Sequence, residues 1–325
     1  MTFSRIVSTG MAFPRRVVTN HELAQTVDTS DEWIFTRTGI HERRVAGPDE
    51  TTSDLAAEAG LMALKRAGMD PMDLEVLLVA TITGDLPFPA TACLTQTKMG
   101  AKRAVAFDIS AACSGYIYGL SVADAYIRSG MYKNVLVIGS EILTKFLDWN
   151  DRGSCVLFGD GAGATLVTAS ETPGLKYVEI GSDGDFAELI YIPGGGSRVP
   201  TTHETVDAGL QYARLDGKEV YKLAVRYAQE LTERALEKTG LTVNDIDLLV
   251  PHQANQRITD AVQERLGIAK EKVVTNIEYY GNTSGATIPV CLHEAVEQGR
   301  LKPGNKVLLV AFGAGFTWGA AVLEW

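Results

Sequence analysis

Along this chain the apolar positions fall into two kinds of pattern. Between Thr52 and Ala67 they stand at 55, 56, 59, 63, 64 and 67, the spacing that keeps one face of a helix apolar. Elsewhere they form short runs rich in Val, Ile and Leu, at 76–82, 105–109, 135–139 and 163–168, which are too short for helices and predict buried strands. A first strand at 5–9 precedes them. A helix follows the 105–109 run, from near Cys113 to about Ser129, and Ser30 or Asp31 can cap a short helix within DTSDEWIFTRTGI at 28–40. The second part of the chain offers a helix at 217–239, a strand at 246–250, a helix at 254–266 and a strand at 273–277. A glycine-rich corner at 281–285, a helix ending near 298 and a closing hairpin over 307–325 complete it.

This order of elements is a repeat. LLVATIT at 77 matches LLVPHQA at 248, VLVIGSE at 135 matches VLLVAFG at 307, and GAGATLV at 161 resembles WGAAVLE at 318. An internal duplication with a boundary near residue 172 explains the match, giving halves at 1–172 and 173–325. Alternating helices and buried β-branched strands imply mostly parallel sheets covered by helices. The predicted fold class is therefore α/β: two duplicated halves back to back in a five-layered α/β/α/β/α sandwich, with the site at the strand ends where they meet.

Composition narrows the function. At 325 residues and 35.0 kDa the chain has ample material for two such halves. Lys and Arg number 30 against 40 Asp and Glu, and the net charge of −10 argues against nucleic acid and against an anionic membrane surface as partners. An acidic partner would need a local basic patch. The four cysteines at 93, 113, 155 and 291 have neither metal nor disulfide spacing, which fits a reducing, cytoplasmic setting without a metal. MTFSRIVSTG lacks a signal-peptide layout, and glycines at 313, 315 and 319 break the apolar end into strands too short to span a membrane.

The candidate chemistry begins at AFDISAACSGYIYGL, residues 106–120. There a strand turns sharply into a helix at Cys113, and unpaired helix N–H groups favour an anion. The Cys113 thiol is accordingly expected to ionise more easily than a free one and to act as nucleophile, while Cys93, Cys155 and Cys291 read as small buried hydrophobes. The second half supplies VPHQANQR at 250–257 and YYGNTSGA at 279–286. His252 follows a strand directly, and Asn282 lies at the corner corresponding to that of Cys113. A structural histidine and a capping asparagine are the plain alternatives, but thiol, imidazole and amide all fall at matching strand ends. Such a set is the equipment of nucleophilic catalysis, as in papain-like hydrolases, where His is the base. Trp33, Arg37 and Arg152 read first as a core tryptophan and solvated arginines, although an indole face and guanidinium planes can also stack on a flat ring and pair with phosphate.

Taken together, AACSG, PHQAN, GNTSGA, DTSDEWIFTRTGI and the terminal GFTWG resemble the β-ketoacyl-[acyl carrier protein] synthase III family of the thiolase-like superfamily, and the resemblance runs from end to end. It implies an acyltransferase that starts type II fatty acid synthesis. Cys113 would take an acetyl or other short acyl group from acyl-CoA, with the backbone N–H groups of Cys113 and Ala314 as oxyanion hole. Malonyl-acyl carrier protein would then lose CO2, with His252 and Asn282 donating to the enolate. The resemblance places CoA against Thr29, Trp33, Arg37, Arg152 and Asn255. It lines the acyl pocket with Leu143, Phe158, Ile190 and Phe312, and brings Phe88 in from the neighbour of a homodimer. Lys222 and Arg257 stand at its carrier-protein docking positions, and Arg226 and Arg265 are further basic candidates. The CoA thioester is a substrate, and no metal or cofactor is implied.

Two positions depart from the family. Ala314 stands where a glycine is usual, which matters only if the turn needs positive φ. Glu264 and Arg265 replace a possible lysine pair, which weakens that helix as a docking surface. The alternatives are a related condensing enzyme of quinolone or polyketide type and, in a different class, a cysteine thioester hydrolase. A scaffold with a dead site conflicts with the intact set of three.

Overall fold

Among residues 2–325, which the computed structural model describes, two mixed sheets carry the same strand order. The first runs Phe3–Ala12, Gly161–Ser170, Asn134–Glu141, Val76–Ala80, Val105–Ile109, and the second runs Leu175–Ser182, Thr317–Glu324, Lys306–Gly313, Leu248–Pro251. Pairing sense agrees as well. Val76–Ala80 is parallel to Asn134–Glu141, as Leu248–Pro251 is to Lys306–Gly313, while Gly161–Ser170 and Thr317–Glu324 are antiparallel to both their neighbours. Residue 172 falls in the connection between Gly161–Ser170 and Leu175–Ser182.

Helices complete five layers. Thr52–Ala67 and Thr91–Met99 cover the outer face of the first sheet, through Leu55, Ala59, Ala63 and Met99. Gly115–Arg128 and Thr287–Glu297 lie between the sheets, where Ile117, Leu120, Ile288 and Leu292 join strands of both halves in one core. Gly217–Thr239 and Gln256–Leu266 cover the far face of the second sheet. The closing hairpin is the buried antiparallel pair Lys306–Gly313 and Thr317–Glu324. No helix among the described residues is long and apolar enough to cross a membrane.

Two expected strands differ. Residues 273–277 give only the bridge from Val273 to Leu249 before Ile277–Tyr280 turns helical. The Gln253 side chain takes over the edge: its Nε2 donates to the carbonyls of Pro251 (2.8 Å) and Val274 (3.2 Å), and its Oε1 accepts the Asn276 N–H. Val105–Ile109 forms as expected but is not buried. It pairs on one side only, at the sheet's edge, and Val105 is 45% exposed.

The layers approach most closely at Gly139, where a Cβ would lie 2.1 Å from the Gly285 carbonyl oxygen. Backbone, not a movable side chain, occupies that space. Gly139→Ala should therefore destabilise the protein by about 3 kcal/mol, the upper range for forcing an extra carbon into a packed core, measured by denaturant unfolding. An unchanged midpoint would mean that the contact is looser than the packing indicates.

Candidate active site

Both central helices start from a tight 3-10 turn, Ala112–Ser114 in the first half and Ser284–Ala286 in the second. Each turn opens on a non-glycine residue with positive φ, Ala112 at 46° and Ser284 at 50°. The corners therefore correspond as the repeat predicts, but the residues are offset. Gly285 occupies the place of Cys113, and Asn282 stands three residues earlier.

The 282–287 segment is the hub that draws the three groups together. Asn282 Oδ1 accepts the Ser284 N–H at 2.8 Å, which leaves its Nδ2 as the free donor. His252 Nδ1 lies 2.8 Å from Thr287 Oγ1. The Thr287 hydroxyl has two acceptors within reach, the Ser284 carbonyl at 3.0 Å and His252 Nδ1; with its hydrogen turned to Nδ1, Nε2 carries the ring proton. The Ser284 hydroxyl donates to Glu141 Oε1 at 3.1 Å, and Ser284 lines the same cavity as Cys113. All three side chains line a cavity of about 340 Å3, together with Leu143, Phe158, Ile190, Phe312 and Ala314. Phe312 packs edge-on against the His252 ring at 5.5 Å.

Electrostatics here differ from the expectation for the thiol. Burial pushes Cys113 up to about 12, the nearby Glu141 charge adds to this, and the Ser284 hydrogen bond only partly offsets it. The short 3-10 turn does not overcome the loss of water. Cys113 as a residue nonetheless keeps partial exposure and lines the cavity. Burial lowers His252 to about 3, so its imidazole is neutral at physiological pH.

Backbone donors flank the sulfur. Among the described residues, neither the Cys113 N–H nor the Ala314 N–H has a hydrogen-bond partner. Ala314 is not among the residues with positive φ, so alanine supplies this N–H without strain. Gly313 makes the close approach possible: a Cβ there would meet the Cys113 backbone nitrogen at 2.7 Å.

Outside the cavity, Ser30 caps helix Asp31–Thr38 by accepting the Trp33 N–H at 3.1 Å. Asp31 instead binds Asn20 and His41, whose hydrogen bonds lower its pKa. The Arg37 and Arg152 guanidinium groups lie 4.4 Å and 4.8 Å from the Trp33 ring centroid, so both rest on the indole. Thr29 Oγ1 is buried with no partner among the described residues. Asn255 links this cluster to the cavity. It lines the wall, caps helix Gln256–Leu266 and donates from Nδ2 to the Arg37 carbonyl at 3.0 Å.

Phe88 is not part of its own chain's cavity; it is 84% exposed on a loop that also exposes Leu86. The basic candidates lie on Gly217–Thr239 and Gln256–Leu266, the helices whose Val220 and Ile258 line the cavity. Lys222 pairs with Glu219 and Arg226 with Glu230, while Arg265 donates to Gln229. Arg257 lies over the Tyr221 ring and has no carboxylate partner among the described residues.

Pattern reading missed three buried polar groups. Arg43 is fully buried, donating to the carbonyls of Val18 and Val156 and to Asn20 Oδ1, and burial lowers it to about 10. It ties Val156, after Arg152, to Val18 and Asn20, and Asn20 Nδ2 donates in turn to Asp31 of helix Asp31–Thr38. Glu141 and Ser284 stand beside the thiol, signalled in sequence only by an acidic residue closing an apolar strand and a serine inside a corner motif.

Comparison with known proteins agrees with this arrangement. The family described as 3-Oxoacyl-[acyl-carrier-protein (ACP)] synthase III matches residues 107–184, and its C-terminal part matches residues 236–325. The curated β-ketoacyl-[acyl-carrier-protein] synthase III of Symbiobacterium thermophilum is 53% identical over 321 residues, covering 98% of this chain and 97% of that protein. Its counterpart from Caldanaerobacter subterraneus subsp. tengcongensis is 50% identical with the same coverage. The crystal structure of 3-oxoacyl-[acyl-carrier-protein] synthase III from Aquifex aeolicus VF5 is 46% identical and superposes with a TM-score of 0.92, over 99% of this chain and 100% of that one. With its two like-ordered sheets, its cavity-facing cysteine, histidine and asparagine, and this likeness along its whole length, the chain belongs to the β-ketoacyl-[acyl-carrier-protein] synthase III family of condensing acyltransferases, thiolase-like in fold.

Proposed function

We propose that the cavity carries out decarboxylative condensation of acetyl-CoA, or another short acyl-CoA, with malonyl-acyl carrier protein. The products are 3-oxoacyl-acyl carrier protein, CoA and CO2, and the reaction initiates type II fatty acid synthesis. Cys113 Sγ attacks the thioester, and the free N–H groups of Cys113 and Ala314 hold the oxyanion. Loss of CO2 from the malonyl group then places negative charge on a thioester oxygen. His252 Nε2–H and Asn282 Nδ2–H donate to that oxygen, and the enolate carbon attacks the acyl-Cys113 carbonyl. The CoA thioester is consumed as a substrate and free CoA is released, and no metal or cofactor takes part in this scheme.

The orientation of Asn282 carries the reading. In a papain-like hydrolase the amide orients the histidine, which must become a cation. Here Thr287 holds His252, the Asn282 amide is left for the cavity, and burial opposes an imidazolium. Two neutral donors suit an enolate better than they suit hydrolysis.

Around this centre, Thr29, Trp33, Arg37, Arg152 and Asn255 hold CoA. The adenine takes the place of a guanidinium on Trp33, and the unpaired Thr29 hydroxyl finds a partner in the nucleotide. Leu143, Phe158, Ile190 and Phe312 enclose the acyl chain. The exposed Phe88 and the open edge at Val105–Ile109 suit a homodimer in which Phe88 enters the neighbour's pocket. Arg257, aided by Lys222, Arg226 and Arg265, receives the acidic carrier protein, and the enzyme works in the cytoplasm. Trp33→Ala should raise the KM for acetyl-CoA about tenfold, the loss of roughly 1.4 kcal/mol of stacking, with little change in kcat; an unchanged KM would remove Trp33 from the CoA site.

The test of the activity is to supply acetyl-CoA and malonyl-acyl carrier protein and to quantify CoA, CO2 and acetoacetyl product. Condensation predicts equal amounts of all three. Acetate released without malonate would favour hydrolysis instead.

A further inference from the structure

Glu141 is fully buried at the end of strand Asn134–Glu141, and the scheme above gives it no task. A carboxylate in such a place needs donors for its lone pairs, and both halves of the molecule supply them. From the first half, Thr81 Oγ1 and Thr83 N donate at 3.1 Å, Ile82 N donates at 3.2 Å, and the Thr83 hydroxyl donates as well. From the second half, Ser284 Oγ donates to Oε1 at 3.1 Å. Glu141 does not line the cavity, whereas Ser284 does.

Both enolate donors take their orientation from Ser284. The Asn282 backbone is fixed separately, its N–H bonding the Leu157 carbonyl at 2.9 Å and its carbonyl accepting the Gly159 N–H at 3.1 Å. Its side chain is turned by the Ser284 N–H, which Oδ1 accepts at 2.8 Å. The His252 backbone is likewise fixed, by its N–H to the Val310 carbonyl at 2.8 Å. Its ring is held at Nδ1 by the Thr287 hydroxyl, which stands 3.0 Å from the Ser284 carbonyl. The N–H of one residue thus aims the amide, and its C=O holds the group that aims the imidazole. That residue has a φ of 50°, which side chains other than glycine rarely adopt, so the turn needs support from outside itself. The bond from the Ser284 hydroxyl to Glu141 gives that support, and residues 81–83 hold Glu141 in turn.

We infer that Glu141 is a positioning residue for the decarboxylation half-reaction, a role that rests on the condensation proposed above. By anchoring the Ser284 hydroxyl it keeps Asn282 Nδ2–H and His252 Nε2–H aimed at one enolate oxygen. Charge gathers on that oxygen only as CO2 leaves, so loosened donors cost transition-state stabilisation and not binding. The oxyanion hole for acetylation is built from backbone N–H groups of Cys113 and Ala314, which lie on other segments, so acetylation is spared.

Ser284→Ala tests this while leaving the contacts of Glu141 with residues 81–83 in place. Acetylated in full and then mixed with malonyl-acyl carrier protein, the variant should release CO2 about a hundredfold more slowly than wild type, the scale for a catalytic group misplaced by roughly 1 Å. The KM for malonyl-acyl carrier protein should not change, and single-turnover acetylation of Cys113 should stay close to the wild-type rate. Glu141→Gln should show the same split, and combining it with Ser284→Ala should add nothing. Ser284→Ala introduced together with Asn282→Ala should cost less than the product of the two separate losses, because one of the groups that Ser284 aims is then gone. Equal slowing of both half-reactions, an unchanged rate of CO2 release, a loss confined to KM, or fully multiplicative losses in either double variant would overturn the positioning role. Wild-type enzyme that takes up no acetyl group, or releases no CO2 from malonyl-acyl carrier protein, would overturn the condensation reading itself; an active wild type beside a variant without the split overturns the role of Glu141 alone.

Discussion

Cys113→Ala should abolish acyl transfer. Exposed to acetyl-CoA, the variant should gain no acetyl mass, and steady-state formation of acetoacetyl product should fall by about 10^4-fold or more, the order expected when a covalent nucleophile is lost. The cause is local. The side chain faces the cavity beside two free backbone N–H groups, and the remaining cysteines lie elsewhere, Cys155 and Cys291 in buried cores. Alanine is smaller than cysteine and fits the same turn, so thermal unfolding should change little. Retained acetylation in this variant, measured by mass spectrometry of the intact chain, would assign the acyl group to a different residue.

His252→Ala should separate the two half-reactions. Acetylation of Cys113 should proceed at close to the wild-type rate, because the imidazole donates only to the later enolate. Loss of CO2 from malonyl-acyl carrier protein should slow by about 10^2- to 10^3-fold, the cost of one oxyanion donor. With burial holding the imidazole down to about 3, His252 is neutral on either side of pH 6.5. The second half-reaction of the wild-type enzyme should therefore show no loss of rate near that pH from this group, because the donor is a neutral N–H throughout. Rapid mixing of pre-acetylated enzyme with malonyl-acyl carrier protein, with CO2 as the readout, checks both statements. Equal slowing of the two steps would assign His252 to proton abstraction from Cys113 instead.

The fold was readable because its signal is repeated. LLVATIT and LLVPHQA lie on corresponding strands of the two like-ordered sheets, so the placing of Cys113, His252 and Asn282 follows from strand order and motif. The ionisation state of Cys113 was not readable. Helix-end dipoles are local and visible in sequence, whereas burial by both halves is a property of the assembled sandwich, and burial dominates here. Glu141 and Ser284 were missed for the same reason: they are 143 positions apart and meet only when the halves pack. Gln253 was invisible as a strand substitute because a side-chain amide replaced the backbone ladder that the apolar run at 273–277 advertises. The residues of the entrance motif do meet, but with both arginines resting on Trp33, an arrangement that spacing does not show.

The most direct measurement follows one peptide through the reaction. Wild-type enzyme is treated with acetyl-CoA, digested and analysed by mass spectrometry before and after addition of malonyl-acyl carrier protein. Acetyl on the Cys113 peptide that disappears as acetoacetyl product forms is the predicted result. An unmodified Cys113 during turnover, or an acetyl group that persists while product accumulates, would contradict it.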